Sequence, residues 1–189
     1  MGPSGSGKST LLNIVGALDE PDGGTVEIDG RRLDQLNGNA RSELRRDRIG
    51  FVFQSYNLIP VLSAYENAEF VLMLQGVSPA ERRERAMKTL ADVGLQGMEQ
   101  RRPSELSGGQ QQRVAVARAI AARPALVLAD EPTANLDSET GAELIALMKR
   151  LNEEQGITFV FATHDPKVMD AARRVVTLHD GQIATDVRK

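Results

Sequence analysis

The stretch GPSGSGKST, Gly2 to Thr10, lies almost at the start of the chain and decides which fold to expect. Gly2 to Ser9 fit the pattern G-x-x-x-x-G-K-[ST], in which backbone N–H groups surround phosphate at the start of a helix. In this pattern Lys8 reaches the β- and γ-phosphates of a nucleotide and Ser9 binds Mg²⁺. A Gly/Ser-rich turn without a ligand has the same letters, so the rest of the chain must decide between the two.

Composition narrows the classes of protein. The chain has 189 residues, of which 41% are hydrophobic and 26% are charged, as in a globular protein with one domain. Its net charge of −3 does not favour nucleic acid as the main partner, and the arginines of residues 81–88 alternate with glutamates as on a solvated face. The chain has no cysteine for a disulfide framework or thiolate metal site. No apolar run has the length of a membrane span, so a membrane role is expected to come through a partner.

Apolar, β-branched runs alternate with segments of helical periodicity. Buried strands are predicted at residues 49–54, 125–131 and 157–164, a short strand at 24–30 and a pair of strands at 173–186. Helices are predicted at residues 8–18, 63–94, 110–122 and 138–154. This alternation predicts a parallel sheet covered on both faces, with ligands at the carboxyl ends of its strands. Gln54, Asp130, Glu131 and His164 all fall at that edge.

Two further motifs complement the first loop. Asp130 ends a predicted strand and can hold a metal ion, and the adjacent Glu131 can orient or deprotonate a water molecule. Two carboxylates at a strand end could instead cap the next loop. The segment LSGGQ, residues 106–110, places a hydroxyl and two glycines before another helix, which makes a second anion site or a flexible loop with a helix cap.

The ordered set GPSGSGKST, FVFQ, LSGGQ, LVLADEP, NLD and FATHD resembles the ATP-binding subunits of ABC transporters, over essentially the whole chain. Residues 16–30, 49–67 and 129–138 are most similar to the branch that serves lipoprotein release and macrolide export. The resemblance implies an α/β fold of the P-loop NTPase class, a RecA-like parallel-sheet core with an inserted helical subdomain and without its N-terminal strands. It implies one domain, 1–189, with the core at 1–53 and 105–189 and the helical part at about 54–104.

The resemblance also implies roles for individual residues, with ATP and Mg²⁺ as cofactors. Glu131, His164 and Gln54 are the candidate catalytic residues, and Ser9, Gln54 and Asp130 are the candidate metal ligands. The candidate nucleotide-binding residues are Gly2, Pro3, Ser4, Gly5, Ser6, Gly7, Lys8, Ser9, Thr10, Ser107, Gly108, Gly109, Gln110 and Asp137. Ser107 to Gly109 would bind the γ-phosphate of ATP held by the opposite subunit, while Asp137 would lie at the dimer interface or merely cap the next helix.

The expected partners are a second ATPase subunit in a homodimer and a separate integral-membrane permease, which would hold the chain at the cytoplasmic face of the membrane; nucleic acid is not expected. The alternatives are a soluble ABC ATPase that acts on DNA or ribosomes, a P-loop small-molecule kinase, and an inactive cassette. In the resembling family a strand leads into the phosphate loop, whereas here only Met1 precedes Gly2. We therefore expect a truncated version of a longer protein, which would bind ATP weakly and hydrolyse it slowly.

Overall fold

A computed structural model describes all 189 residues of the chain. The helices are α1 (Lys8–Val15), α2 (Gly38–Arg48), α3 (Ala64–Leu74), α4 (Pro79–Asp92), α5 (Gly108–Ala121), α6 (Ser138–Gln155) and α7 (Pro166–Ala171). The strands are β1 (Glu27–Ile28), β2 (Arg31–Arg32), β3 (Ile49–Phe53), β4 (Leu126–Asp130), β5 (Thr158–Ala162), β6 (Arg174–His179) and β7 (Gln182–Arg188). None of the helices combines the length and the apolar character that crossing a membrane requires.

The three long apolar runs form one parallel sheet, which confirms the prediction from the sequence, and their order in the sheet is β3-β4-β5. The register places Phe53, Asp130 and Ala162 side by side at the carboxyl ends of the strands. Residues that immediately follow these three positions therefore emerge along one edge of the sheet. This edge holds the candidate site.

Helices cover both faces of the sheet. Alternate residues of a strand point to opposite faces, and on β4 Val127 and Ala129 join the larger hydrophobic cluster while Leu128 joins the smaller one. The larger cluster also contains buried residues of α3, α4, α5 and α6, and the smaller contains Leu12 of α1 and Leu44 of α2. The helices of residues 54–104 thus share their core with one face of the sheet.

Helix α5 packs unusually close to β3. A Cβ added to Gly50 would lie 2.5 Å from the backbone oxygen of Ala119, so no larger residue fits between strand and helix. On the same helix, the Gln112 side chain donates to the Phe53 carbonyl at the end of β3 at 3.3 Å.

Several element boundaries differ from those predicted. Helix α1 ends at Val15 rather than Leu18, and its predicted apolar face is only partly buried, with Leu11 46% and Leu18 52% exposed. The strand predicted at 24–30 is reduced to β1, which pairs with β2. The helical region 63–94 is two helices separated by a turn at Gly76, whose φ is 73°.

Helix α2 carries no apolar stripe in the sequence and was not predicted. It contains four arginines and buries only Leu44. At the start of α4 the Ser78 hydroxyl accepts from the Glu81 amide at 3.4 Å, without a reciprocal bond donated by the Ser78 amide to the Glu81 carboxylate.

Candidate active site at the edge of the parallel sheet

The phosphate-loop candidate, residues 2–10, is attached to the hairpin of β6 and β7. The Met1 ammonium donates to the Val176 carbonyl at 2.7 Å, and the Met1 carbonyl accepts from the Leu178 amide at 2.8 Å. Gly2 has a φ of 149°, and a Cβ there would lie 2.2 Å from the Leu178 carbonyl oxygen, so this close approach requires glycine. The loop is therefore held by backbone contacts on the side of β6.

Lys8 and Ser9 begin helix α1 and point to different parts of the site. The Lys8 ammonium donates to the carbonyls of Gly2 and Pro3, both at 2.8 Å, so it lies across the mouth of its own loop. The Ser9 hydroxyl donates to Asp130 Oδ2 at 3.2 Å, across 121 residues of sequence. The structure thus brings the loop and the end of β4 together.

Asp130 and Ser9 form an oxygen pair that suits a hard cation. Burial raises the pKa of Asp130 and the negative charge of Glu131 raises it further, while the Ser9 hydroxyl and the Lys8 ammonium oppose the shift. A divalent cation would relieve the same unfavourable charge. Mg²⁺ uses oxygen ligands and commonly takes one or two carboxylates together with substrate phosphates, and this pair fits that requirement.

Glu131 is held from two sides at the end of β4. Its Oε1 lies 2.7 Å from His164 Nδ1, and its Oε2 accepts from the Thr163 hydroxyl at 3.0 Å. The Glu131 side chain is 18% exposed and that of His164 is 74% exposed, so the carboxylate is sheltered while the imidazole faces solvent. Glu131 also has a φ of 45°, in the left-handed region that non-glycine residues adopt rarely and that is often found at functional sites.

Thr163 is a residue of this site that the sequence analysis missed. Its hydroxyl also accepts from the Asp165 amide at 3.0 Å, so one side chain joins Glu131 to the start of α7. A threonine at the end of an apolar strand gives no signal in the sequence, because strand propensity alone accounts for it.

Gln54 lies at the end of β3, as expected, and is joined to the loop that follows Glu131. Its Nε2 donates to Asn135 Oδ1 at 3.3 Å, and Asn135 Nδ2 donates back to the Gln54 carbonyl at 3.1 Å. The partner Asn135 is the first residue of the NLD motif, in which only Asp137 was singled out from the sequence.

The second predicted anion segment, residues 107–110, forms the start of α5. Ser107 caps the helix in a capping box with Gln110, with bonds of 3.3 and 3.0 Å. A Cβ on Gly109 would lie 2.3 Å from Thr140 Cγ2, so the glycine permits contact with the start of α6. No hydrogen bond joins this segment to the phosphate loop or to Glu131.

Asp137 caps helix α6, which is the simpler of the two roles considered for it. Its carboxylate accepts from the amides of Glu139 and Thr140, both at 3.0 Å, and from the Thr140 hydroxyl at 2.6 Å. These bonds, the hydroxyl first, hold the pKa of Asp137 below its usual range. The cap also places this carboxylate beside the start of α5, through the contact between Thr140 and Gly109.

The chain is similar to known proteins along most of its length. A family model described as ABC transporter matches residues 1–134. MJ0796 of Methanocaldococcus jannaschii, an uncharacterized ABC transporter ATP-binding protein, is 50% identical over 187 residues, which is 97% of this chain and 80% of that protein. A solved dimer of MJ0796, described as a post-hydrolysis state bound to ADP and Pi, matches with a TM-score of 0.88 and 48% identity over 100% of this chain and 83% of that one.

Two relatives belong to the branch suggested by the sequence. The macrolide export ATP-binding/permease protein MacB of Syntrophobacter fumaroxidans is 50% identical over 185 residues, which is 97% of this chain but 26% of MacB. The lipoprotein-releasing system ATP-binding protein LolD of Anaeromyxobacter dehalogenans is 48% identical over 187 residues, 98% of this chain and 78% of LolD. The predicted fold class and the predicted resemblance are both confirmed.

Proposed function

Because this chain belongs to the ABC transporter family of ATPases, we propose that it binds and hydrolyses ATP to power a separate membrane permease, through ATP-dependent dimerisation. The observation that carries the proposal is the placement of Glu131. Its carboxylate is fixed by His164 and Thr163, one residue after Asp130, which contacts Ser9 of the phosphate loop.

The chain's own residues supply the parts that phosphoryl transfer requires. The loop amides and Lys8 would bind the β- and γ-phosphates, and in doing so Lys8 would exchange its two carbonyl contacts for phosphate oxygens. Ser9 and Asp130 would hold Mg²⁺, with Gln54 as a further ligand or water contact. Bound Mg²⁺ neutralises charge that develops on the phosphate oxygens.

Glu131 would orient the attacking water and accept its proton. Each carboxylate oxygen already has one hydrogen-bond donor, which fixes the plane of the group and leaves lone pairs for a water O–H. For His164 Nδ1 to donate to Glu131, it must carry a proton. The other ring nitrogen of His164 would contact the γ-phosphate.

The start of α5 is proposed to act on ATP bound by a second copy of the chain. Ser107 to Gln110 make no hydrogen bond to the phosphate loop of their own chain, and a two-fold dimer would pair each segment with the opposite loop at two equivalent sites. The solved dimer of MJ0796 supports this arrangement by similarity. ATP would then join the subunits, and loss of the γ-phosphate would release them.

The permease and the location at the inner face of the cell membrane are proposed from the relatives. MacB is described as an ATP-binding/permease protein and LolD as part of a lipoprotein-releasing system. The chain itself has no helix fitted to span a membrane.

A mixing experiment tests the composite site. Ser107→Arg and Lys8→Ala are each placed in a Glu131→Gln background, so that bound ATP persists, and association with ATP is followed by analytical ultracentrifugation. A mixed dimer has one intact composite site and one that is defective on both sides. We expect the mixture to associate at least about ten-fold more tightly than either variant alone, because only the mixture has an intact site.

The matched control is Ser78→Arg, which removes another serine helix cap, from α4. It should associate with ATP as well as the parent, because Ser78 is not part of the proposed interface. Association that is equally strong for the Ser107→Arg protein alone would refute the composite site.

A further inference from the structure

Gln112 is a buried amide in α5 that the proposed mechanism has not used. Its side chain is 0% exposed, and its Nε2 donates to the carbonyls of Pro132 at 2.7 Å and Phe53 at 3.3 Å. Because a carbonyl oxygen only accepts, both of these contacts require the amide NH₂ rather than its oxygen.

The two carbonyls belong to the ends of neighbouring strands. Phe53 immediately precedes Gln54, and Pro132 immediately follows Glu131. A single amide therefore spans the gap between the backbone of the two candidate catalytic residues. Asn135 makes a second link between the same segments on the exposed side.

Packing alone does not explain this amide. Gln112 Oε1 is buried and has no hydrogen-bond partner in the protein, and an orphaned buried acceptor generally costs about 1–3 kcal/mol. The neighbouring α5 residues Val114 to Ala117 are all buried and apolar. A methionine would fill the same space without the orphaned oxygen, so the feature that distinguishes glutamine here is its pair of donors.

We infer that Gln112 is a positioning residue, which sets the spacing of Gln54 and Glu131 and ties both to the helix that begins at Ser107. The inference rests on the proposed function. Gln112 lies in the second turn of α5, and the first turn is the segment proposed to contact ATP of the opposite subunit. A displacement of α5 on dimerisation would therefore reach the water-activating carboxylate through one side chain.

The first test compares Gln112→Met with the parent chain in single-turnover assays with γ-labelled ATP. These assays measure separately the rate constant of hydrolysis, even when it is small, and the ATP concentration at half-saturation. We expect hydrolysis to slow by roughly 10- to 100-fold, since misplacing a reacting group by about 1 Å can cost that much. Half-saturating ATP should change less than about two-fold, because Gln112 does not contact the phosphate loop. Gln75→Met is the matched control: Gln75 donates to the Arg46 carbonyl at 3.3 Å, three residues before the start of β3 rather than at its carboxyl end, and its loss should leave both values unchanged.

The second test uses Gln112→Glu, compared with the parent at each pH so that the parent's own pH dependence cancels. Burial raises the pKa of a carboxyl group. In its neutral form the introduced carboxyl can donate one hydrogen bond to the Pro132 carbonyl, whereas the ionised form can donate none. The ratio of variant to parent rates should therefore rise as the pH falls, and a merely structural defect would not produce this recovery.

The possible results distinguish a wrong positioning role for Gln112 from a wrong proposed function. If the parent hydrolyses ATP and Gln112→Met is as fast, or Gln75→Met is equally slow, the positioning role is wrong. The positioning role would also be wrong if Gln112→Met lost ATP affinity by the same factor as it lost hydrolysis rate. If Gln112→Met does not fold, a pH-independent ratio for Gln112→Glu overturns the inference instead. A parent chain without measurable hydrolysis would overturn the proposed function, and the inference with it.

Discussion

Thr163 should be the residue near Glu131 whose substitution is most informative. Thr163→Val keeps the shape of a buried side chain and removes only its hydroxyl. That hydroxyl makes two bonds of 3.0 Å, one donated to Glu131 Oε2 and one accepted from the Asp165 amide. The substitution thus frees one carboxylate oxygen of Glu131 and leaves one backbone N–H without its partner.

The size of the effect follows from these two bonds. A hydrogen bond to a charged group contributes about 1.5–3 kcal/mol and a neutral one about 0.5–1.5 kcal/mol, so the free energy of unfolding should fall by roughly 2–4.5 kcal/mol. Glu131 would keep only its contact with His164 and could rotate about it. If half of the charged bond's contribution, about 0.75–1.5 kcal/mol, is lost from the transition state, hydrolysis slows by roughly 4- to 12-fold.

Urea denaturation followed by circular dichroism measures the loss of stability, and single-turnover hydrolysis measures the loss of rate. Thr163→Ser is the matched control, because it retains the hydroxyl and should hydrolyse ATP within about three-fold of the parent. ATP affinity should be unchanged in both variants. A Thr163→Val protein that hydrolyses ATP at the parental rate, or a Thr163→Ser protein that is equally slow, would refute the idea that this hydroxyl orients Glu131.

Two other carboxylates should respond to pH with opposite signs. The pKa of Asp130 is raised, so its ionisation destabilises the fold as the pH rises. At pH 7 the Asp130→Asn variant should therefore melt at a higher temperature than the parent. This difference in melting temperature should disappear towards pH 4, where Asp130 is protonated. The same variant should lose roughly 100-fold or more of its Mg²⁺-dependent hydrolysis. The pKa of Asp137 is lowered, so its stabilising effect is present at neutral pH and lost as the pH falls below about 4. Asp137→Ala should therefore lower the melting temperature at pH 7 by roughly 3–6 °C, and Asp137→Asn should lower it by less.

The sequence was informative where apolar pattern and local spacing decide the structure. The runs that became β3, β4 and β5 are continuous and apolar, so their parallel arrangement and their common carboxyl edge could be predicted, whereas their pairing and register come from the structure. The phosphate loop and the carboxylates of Asp130 and Glu131 are recognised by neighbours in sequence. Their arrangement at one edge follows from the fold alone.

The residues that were missed act through partners far away in the chain. Thr163 lies 32 residues from Glu131, Asn135 lies 81 from Gln54, and Gln112 lies 59 from Phe53, so no local pattern marks them. The polar helix α2 was not predicted for a different reason: it buries only one leucine and therefore shows no hydrophobic periodicity. Such elements are fixed by tertiary contacts rather than by propensity.

The most direct test of the account is a Glu131→Gln variant examined for ATP binding, hydrolysis and association together. The amide cannot take a proton from water, so hydrolysis should fall by roughly two to four orders of magnitude while ATP affinity stays the same. ATP-bound dimers should accumulate in light scattering with ATP and dissociate when ATP is removed. Hydrolysis at the parental rate, with no ATP-dependent dimer, would contradict the assignment of Glu131 and the cycle built on it.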